Sequence, residues 1–339
     1  MKLHGLELIR ALSDISAPSG CEGRAADFII EQIGGDAKTQ IDRVGNVIAT
    51  IPATADAPKT MICAHMDEPG FIVKDVDGDG KVWFKSFGGV PSERMSGRRG
   101  VINGDVSCIF SAKPIHVLSG DERTKPTPMD KIYAEIGAKD KDSAAAKVKV
   151  GDYGTLAPSF GEIGRFIKGK ALGSRASCAA LIETIRSVAA SDKKHGEIVF
   201  AFTTRGEVGN MGAEVASFVA SPERAIIVDG IQAYDTPDVP GELMISTLGG
   251  GAVISGIDAK TIFAPARVDE AVKCAEENGI KYQYVVRQSQ VGEGAVVQRS
   301  LGGCECVGIS IPTRYKKSAS EMICPADYEA VRALIGKLI

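Results

Sequence analysis

The feature that most constrains this chain is a change of texture along its length. Helix and strand signals alternate up to about residue 70, short β-like runs take over from Phe71 to Phe160, and alternation then resumes to the end. In the first stretch, Leu6–Ile15 and Ala25–Ile33 carry apolar residues at helical spacing, with Pro18-Ser19-Gly20 breaking the chain between them. Val44–Ile51 alternates around Gly45-Asn46 as a strand, and Thr60–Ala64 is a short apolar run ending in His65, which predicts a buried strand. In the middle, Val82-Trp83-Phe84 and Val106–Phe110 are separated by Gly, Pro and Asp clusters, which predicts a small all-β module with an exposed linker at Lys139–Lys147. Beyond it, Ala176–Val188, Glu197–Thr203, Gly212–Ala220, Ala225–Asp229, Val268–Asn278, Ala295–Leu301, Cys306–Ile311 and Ala326–Ile339 alternate helix with strand. Such βα alternation predicts a mostly parallel sheet covered by helices on both faces. The expected organisation is an α/β domain made of residues 1–70 and 161–339, interrupted by a β-rich domain at 71–160.

Composition removes several function classes. Lys and Arg number 40 against 43 Asp and Glu, a net charge of −3, so nucleic acid is not expected as a partner. No apolar run approaches the ~20 residues that span a bilayer, and the amphipathic amino terminus, interrupted by Glu7, Arg10 and Asp14, is not a signal peptide. The 8 cysteines are scattered without a close-set framework, which predicts reduced thiols and a cytoplasmic location.

Chemistry concentrates at four predicted strand ends, the edge of an open α/β sheet where sites form. These are Ala64–Glu68, Arg205–Gly209, Val228–Gly230 and Pro312–Ser318. A lone acid at such a place reads most simply as a solvated loop charge. His65 with Asp67 two positions on suits a metal ligand oriented by a carboxylate partner, and it suits a structural pair equally well.

Taken together, these segments resemble the M42 family of dinuclear-metal aminopeptidases, the tetrahedral or glutamyl aminopeptidase group formerly called cellulase M. The likeness includes Ala17–Glu22, Ala64–Gly70, Ser111–Leu118, Ile136-Gly137-Ala138, Val150-Gly151-Asp152, Glu207-Val208-Gly209 with Gly212-Ala213, Asp229, and Ile311–Tyr315 with Ser318. It implies a clan MH peptidase-like three-layer sheet domain with an inserted, barrel-like dimerisation domain. It also implies removal of amino-terminal residues from peptides with zinc or cobalt, dimers, and a twelve-subunit shell. Leu248–Ala252, with Gly249, Gly250 and Gly251, resembles the family's substrate-side loop, although plain turn glycines read as well.

The departures fall on the family's active positions. Where the family has Ala-Leu-Asp-Asp-Arg, with a metal-bridging aspartate, this chain has Ala171-Leu172-Gly173-Ser174-Arg175. Where the family has a Glu-Glu pair, general base then ligand, it has Gly206-Glu207, and the family's last histidine ligand is replaced by Lys317. By resemblance the surviving metal positions are His65, Glu207 and Asp229, with Asp67 in support. Loss of a positioned general base typically removes ~10²–10⁴ in rate. The expectation is therefore an impaired or inactive homologue holding no metal, or one weakly bound divalent ion. Its role is an assembly or regulatory one, as a homo-oligomer or together with an active paralogue. The alternatives are a hydrolase using a single metal on His65, Glu207 and Asp229, and a small-molecule or peptide binder using the old pocket. Lys317 is expected to place its ammonium by Glu207 or Asp229 in lieu of metal charge, with Arg205 as a second cation.

Overall fold

The computed structural model describes residues 2–286 and 291–339. An eight-stranded sheet runs in the order Lys38–Ile41, Val47–Ile51, Ile198–Thr203, Thr60–His65, Arg224–Gln232, Glu305–Thr313, Ala252–Ile257, Tyr282–Val286. Its central strands, Ile198–Thr203, Thr60–His65, Arg224–Gln232 and Glu305–Thr313, are mutually parallel. Their apolar runs are buried on both faces, as a parallel sheet covered by helices requires.

The sheet is mixed, where the alternation predicted mostly parallel strands. Antiparallel joins flank the parallel centre, at Val47–Ile51 against both of its neighbours and at Ala252–Ile257 against Glu305–Thr313. Local chemistry explains the first of these. Asp42 Oδ1 accepts the backbone N–H of Val44 at 2.9 Å and of Asn46 at 3.0 Å, and Gly45 takes a φ of +96°. Val44 and Gly45 therefore form a hairpin turn rather than the start of a strand.

The helices Gly5–Asp14, Gly23–Ile33, Met211–Ala220, Pro265–Glu277 and Pro325–Leu338 lie where the periodicity places them. The expected helix at Ala295–Leu301 is only a short Gly294–Val297 turn. Helix Leu172–Ala189 is buried along most of its length and packs on the sheet's centre. Its first turn presses against the neighbouring strand: a Cβ at Gly173 would lie 2.9 Å from Gly230 Cα, and one at Gly230 would lie 2.4 Å from Gly173 Cα. Two glycines facing each other permit this backbone approach. Among the described residues, no helix is long and apolar enough to cross a membrane.

The middle of the chain closes into a six-stranded barrel, in the order Gly70–Val76, Val82–Phe87, Tyr133–Glu135, Val106–Ser111, Arg99–Ile102, Tyr153–Leu156. Closure removes the exposed edges of so short a set of strands. Phe71, Phe84 and Phe110 fill it with ring centroids 5.0–5.3 Å apart, and Gly154 makes room, since a Cβ there would sit 2.2 Å from Phe71. The expected exposed linker at Lys139–Lys147 is instead structured. Asp140 and Ser143 cap each other's backbone to start the short helix Lys141–Ala145, and Ala144 and Val148 are buried in the barrel core. The capping pair was overlooked because the flanking lysines dominate the composition.

Sheet and barrel join just after His65. There Glu68 receives Lys170 Nζ at 2.5 and 2.7 Å, the Arg175 guanidinium at 3.4 Å and the Ala17 backbone N–H at 3.0 Å, and all three charged residues are fully buried. Removing one partner of a buried ion cluster strands the others. Glu68→Ala should therefore lower unfolding stability by about 3–5 kcal/mol in denaturant titration. An unchanged midpoint would show that this junction is not held by the cluster.

Candidate functional site

At the carboxyl edge of the central strands lies a cavity of about 580 Å³ whose walls include His65, Gly206, Glu207, Asp229, Gln232, Lys260, Glu293, Lys316 and Lys317. The parallel register brings these residues together from distant parts of the sequence. His65 ends its strand beside Thr203, and Asp229 lies on the next strand opposite Ser310.

His65 stands between two carboxylates. Its Nδ1 lies 3.0 Å from Asp67 Oδ1, and its Nε2 lies 3.4 Å from Asp229 Oδ1. Burial disfavours the imidazolium, yet the hydrogen bonds and charges of Asp229 and Asp67 outweigh it and raise the His65 pKa well above its usual value. Asp67 is fully buried and satisfied by protein donors: the Gly206 N–H at 2.8 Å, the Glu207 N–H at 3.0 Å and the Ser19 hydroxyl at 2.5 Å. Burial opposes its charge, but the bond to His65 and these donors hold its pKa below the usual value.

Two lysines complete the network. Lys317 Nζ is 3.3 Å from Glu207 Oε2, the approach expected for it. Lys316, which the sequence reading passed over, brings Nζ within 3.6 Å of Asp229 Oδ2 and also donates to the Gly230 carbonyl. Burial resists the charge on Asp229, but Lys316 and His65 hold this carboxylate well below its usual range. Burial likewise opposes the Lys316 ammonium, and Asp229, Glu207 and Glu321 more than restore it, so its pKa is raised. Glu207 is pushed upward by burial, with His65 and the two lysines pulling the other way.

Arg205 does not serve as the second cation. Its backbone adopts a φ of +53° and its N–H donates to Glu22 Oε1 at 2.9 Å, while its side chain forms no ion pair with a described residue. Gly249, Gly250 and Gly251 are likewise not among the residues lining the cavity. The N–H groups of Gly249 and Gly251 each donate to Asp327 at 2.7 Å, and a Cβ at Gly250 would meet the Gln283 side chain at 2.3 Å. Close packing suits Gly250 and Gly251, and a left-handed backbone with φ of +80° suits Gly249.

Two buried acids were also missed. Glu293 lies at the cavity floor, 2 % exposed, accepting from the Thr203 hydroxyl with the Cys63 thiol beside it, and burial pushes its carboxyl up to about 7. Glu321 receives the N–H of Lys317 at 2.7 Å and of Gly173 at 3.1 Å, and burial pushes it up to about 6. Neither sits in a segment whose spacing pointed to chemistry, although Glu321 lies only three residues beyond Ser318.

Gly206, where the resemblance implies the general base, is closed. A Cβ at Gly206 would lie 2.4 Å from His65 Cβ and 2.5 Å from its Cγ, so the imidazole root fills the space of any side chain there. Among the described residues, no three His, Cys, Asp or Glu side chains gather as a metal-ligand set.

The family model for M42 glutamyl aminopeptidase matches residues 45–334. The chain belongs to the M42 peptidase family. A lysyl aminopeptidase of Pyrococcus furiosus is 27 % identical, over 98 % of this chain and 96 % of its own. The crystal structure of a TET aminopeptidase from the marine-sediment archaeon Thaumarchaeota archaeon SCGC AB-539-E09 superposes with a TM-score of 0.95 at 28 % identity, covering 98 % of this chain and 95 % of that one. The TET1 peptidase of Pyrococcus horikoshii, described as assembling into a tetrahedron or a large octahedral shell, gives a TM-score of 0.87 at 27 % identity, with 98 % of each chain covered. The M42 fold is thus retained across a site whose polar groups engage one another.

Two substitutions probe this arrangement. Gly206→Ala should destabilise the protein by about 1–3 kcal/mol through the His65 contact, an overpacking effect read from its unfolding midpoint. A wild-type midpoint would mean that His65 yields freely. Lys317→Met should destabilise at pH 7 because it leaves Glu207 facing burial with one cation fewer. Glu207 already has a raised pKa, so the loss should fade as pH falls and the carboxyl takes up a proton. A difference between variant and wild type that stays constant from pH 7 to pH 4 would contradict the pairing.

Proposed function

We propose that this M42 homologue does not hydrolyse peptides at a dinuclear centre and instead has an assembly or regulatory role, with lysine charge standing in for metal charge. The observation that carries this reading is the pair of contacts Lys317–Glu207 and Lys316–Asp229, which place two ammonium groups against the acids that the family uses as metal ligands. A dinuclear hydrolase needs its metals to generate hydroxide and to polarise the carbonyl, and a carboxylate to move the proton. The residues present do not suit a pair of divalent ions. Gly173 offers no bridging oxygen, Gly206 no base and Lys317 no lone pair while it is protonated, and His65 fills the space beside Gly206. His65, Glu207 and Asp229 are read as vestigial metal positions, with Asp67, Lys316 and Lys317 as the groups that stabilise them.

The assembly role rests on likeness and on surface. The Pyrococcus horikoshii relative forms large shells, and the barrel of this chain exposes Ile109, Ile115 and Val117, apolar side chains suited to contact with another copy. In this reading the chain is a homo-oligomer joined through residues 71–160 and located in the cytoplasm, alone or with an active paralogue.

The test uses wild-type protein expressed in a host lacking aminopeptidases of this class. Aminoacyl chromogenic substrates should show no turnover above buffer with zinc, cobalt or manganese added. Gly206→Glu alone should also be silent, since the bridge at Gly173 is still missing. Metal-dependent turnover by the wild-type chain would overturn the reading and favour a single-metal enzyme on His65, Glu207 and Asp229.

A further inference from the structure

The cavity at the sheet's carboxyl edge contains more accessible positive charge than negative. Two of the three acids that line it, Asp229 and Glu207, are already paired with cations. Asp229 faces Lys316 and His65, and Glu207 faces Lys317. Glu293 is 2 % exposed and accepts from the Thr203 hydroxyl at one oxygen, so little of it faces the cavity, and Asp67, fully buried against His65, is not part of the lining. The cations are less fully engaged. Lys317 keeps 37 % of its side chain exposed, and its single ion pair uses one of three ammonium N–H groups. Lys260 lines the same cavity, is exposed, and forms no ion pair with a described residue. Gln232 and Tyr234 add neutral polar groups to the same wall. A volume of about 580 Å³ is of the size that holds a small molecule.

We propose that this cavity binds a small dianion bearing carboxylate or phosphate oxygens, held by Lys317 and Lys260 without any metal. The assignment rests on the metal-free reading of the site and adds to it the class of ligand. Charge decides the class. A cationic ligand in the cavity is repelled by Lys317 and Lys260, and the carboxylates of Glu207 and Asp229 are already paired. An anion meets donors that are only partly used, in a recess whose low-dielectric walls strengthen the attraction. Lys317 then has two roles, compensating Glu207 and receiving the ligand. Lys260 has only the second, which makes it the residue to test.

The experiment is calorimetric titration of the full chain after EDTA treatment, at low ionic strength, with inorganic phosphate in one arm and succinate in the other. At least one should bind, and the arm that responds identifies phosphate or dicarboxylate as the ligand chemistry. Lys260→Met should weaken that binding at least tenfold with the unfolding midpoint unchanged, and added sodium chloride should weaken it in the wild-type protein. No heat from either anion up to about 10 mM, a range that covers even millimolar affinity, overturns the proposal. So does binding that Lys260→Met leaves intact, or binding that appears only when zinc or cobalt is restored. A protein that fails to bind either anion and also fails to hydrolyse peptides loses the ligand assignment alone. Hydrolysis with added metal removes the underlying reading instead.

Discussion

The rest of the site follows from one electrostatic constraint: Asp67, Glu207 and Asp229 converge at the end of a buried sheet and must be neutralised there. Two like charges about 4 Å apart repel by roughly 4 kcal/mol even at an effective dielectric constant of 20, more than a marginally stable domain can ignore. Here His65 serves both aspartates, Lys316 serves Asp229 and Lys317 serves Glu207. Both lysines come from one turn just after the strand Glu305–Thr313, and Glu321 holds that turn by accepting the Lys317 N–H. The Arg94 guanidinium, from the barrel, holds it from the other side by donating to the Lys316 carbonyl at 2.5 Å. The inserted β-rich region therefore takes part in placing the charges.

Backbone packing is tight around the same site. Neither Gly173 nor Gly206 leaves an empty socket. The first allows the helix to press against Gly230, and the second lies against the root of His65. A carboxylate introduced at either position would have to displace a neighbour before it could bind anything. This tight packing is why a single carboxylate placed at either position is not expected to confer chemistry.

Much of the architecture was legible because it depends on periodicity. Apolar runs such as Thr60–His65 and Ile198–Thr203 mark buried strands whatever surrounds them, and the change of texture after residue 70 marks the barrel. The errors lie where short-range polar chemistry overrides pattern. Asp42 turns Val44–Gly45 into a hairpin, and Asp140 with Ser143 turns a charged stretch into a helix that buries Ala144. At the site, family motifs led to His65, Glu207, Asp229 and Lys317. They gave no weight to Lys316, one position away, because the backbone twist that aims both lysines inward, with φ of +56° at Tyr315 and +64° at Lys317, is not written in a spacing rule. Glu293 and Arg205 show the same limit from opposite sides. One reaches the cavity floor from a segment without a motif, and the other sits in a motif and contributes only backbone.

Lys316 and Lys317 set their ammonium groups against Asp229 and Glu207. Crystals of the protein grown with zinc and cobalt, with anomalous diffraction recorded at each metal's absorption edge, test this placement most directly. The account predicts electron density for Lys316 and Lys317 against Asp229 and Glu207, with no anomalous peak between His65, Glu207 and Asp229. Two anomalous peaks there, with both lysines swung away from the acids, would contradict it.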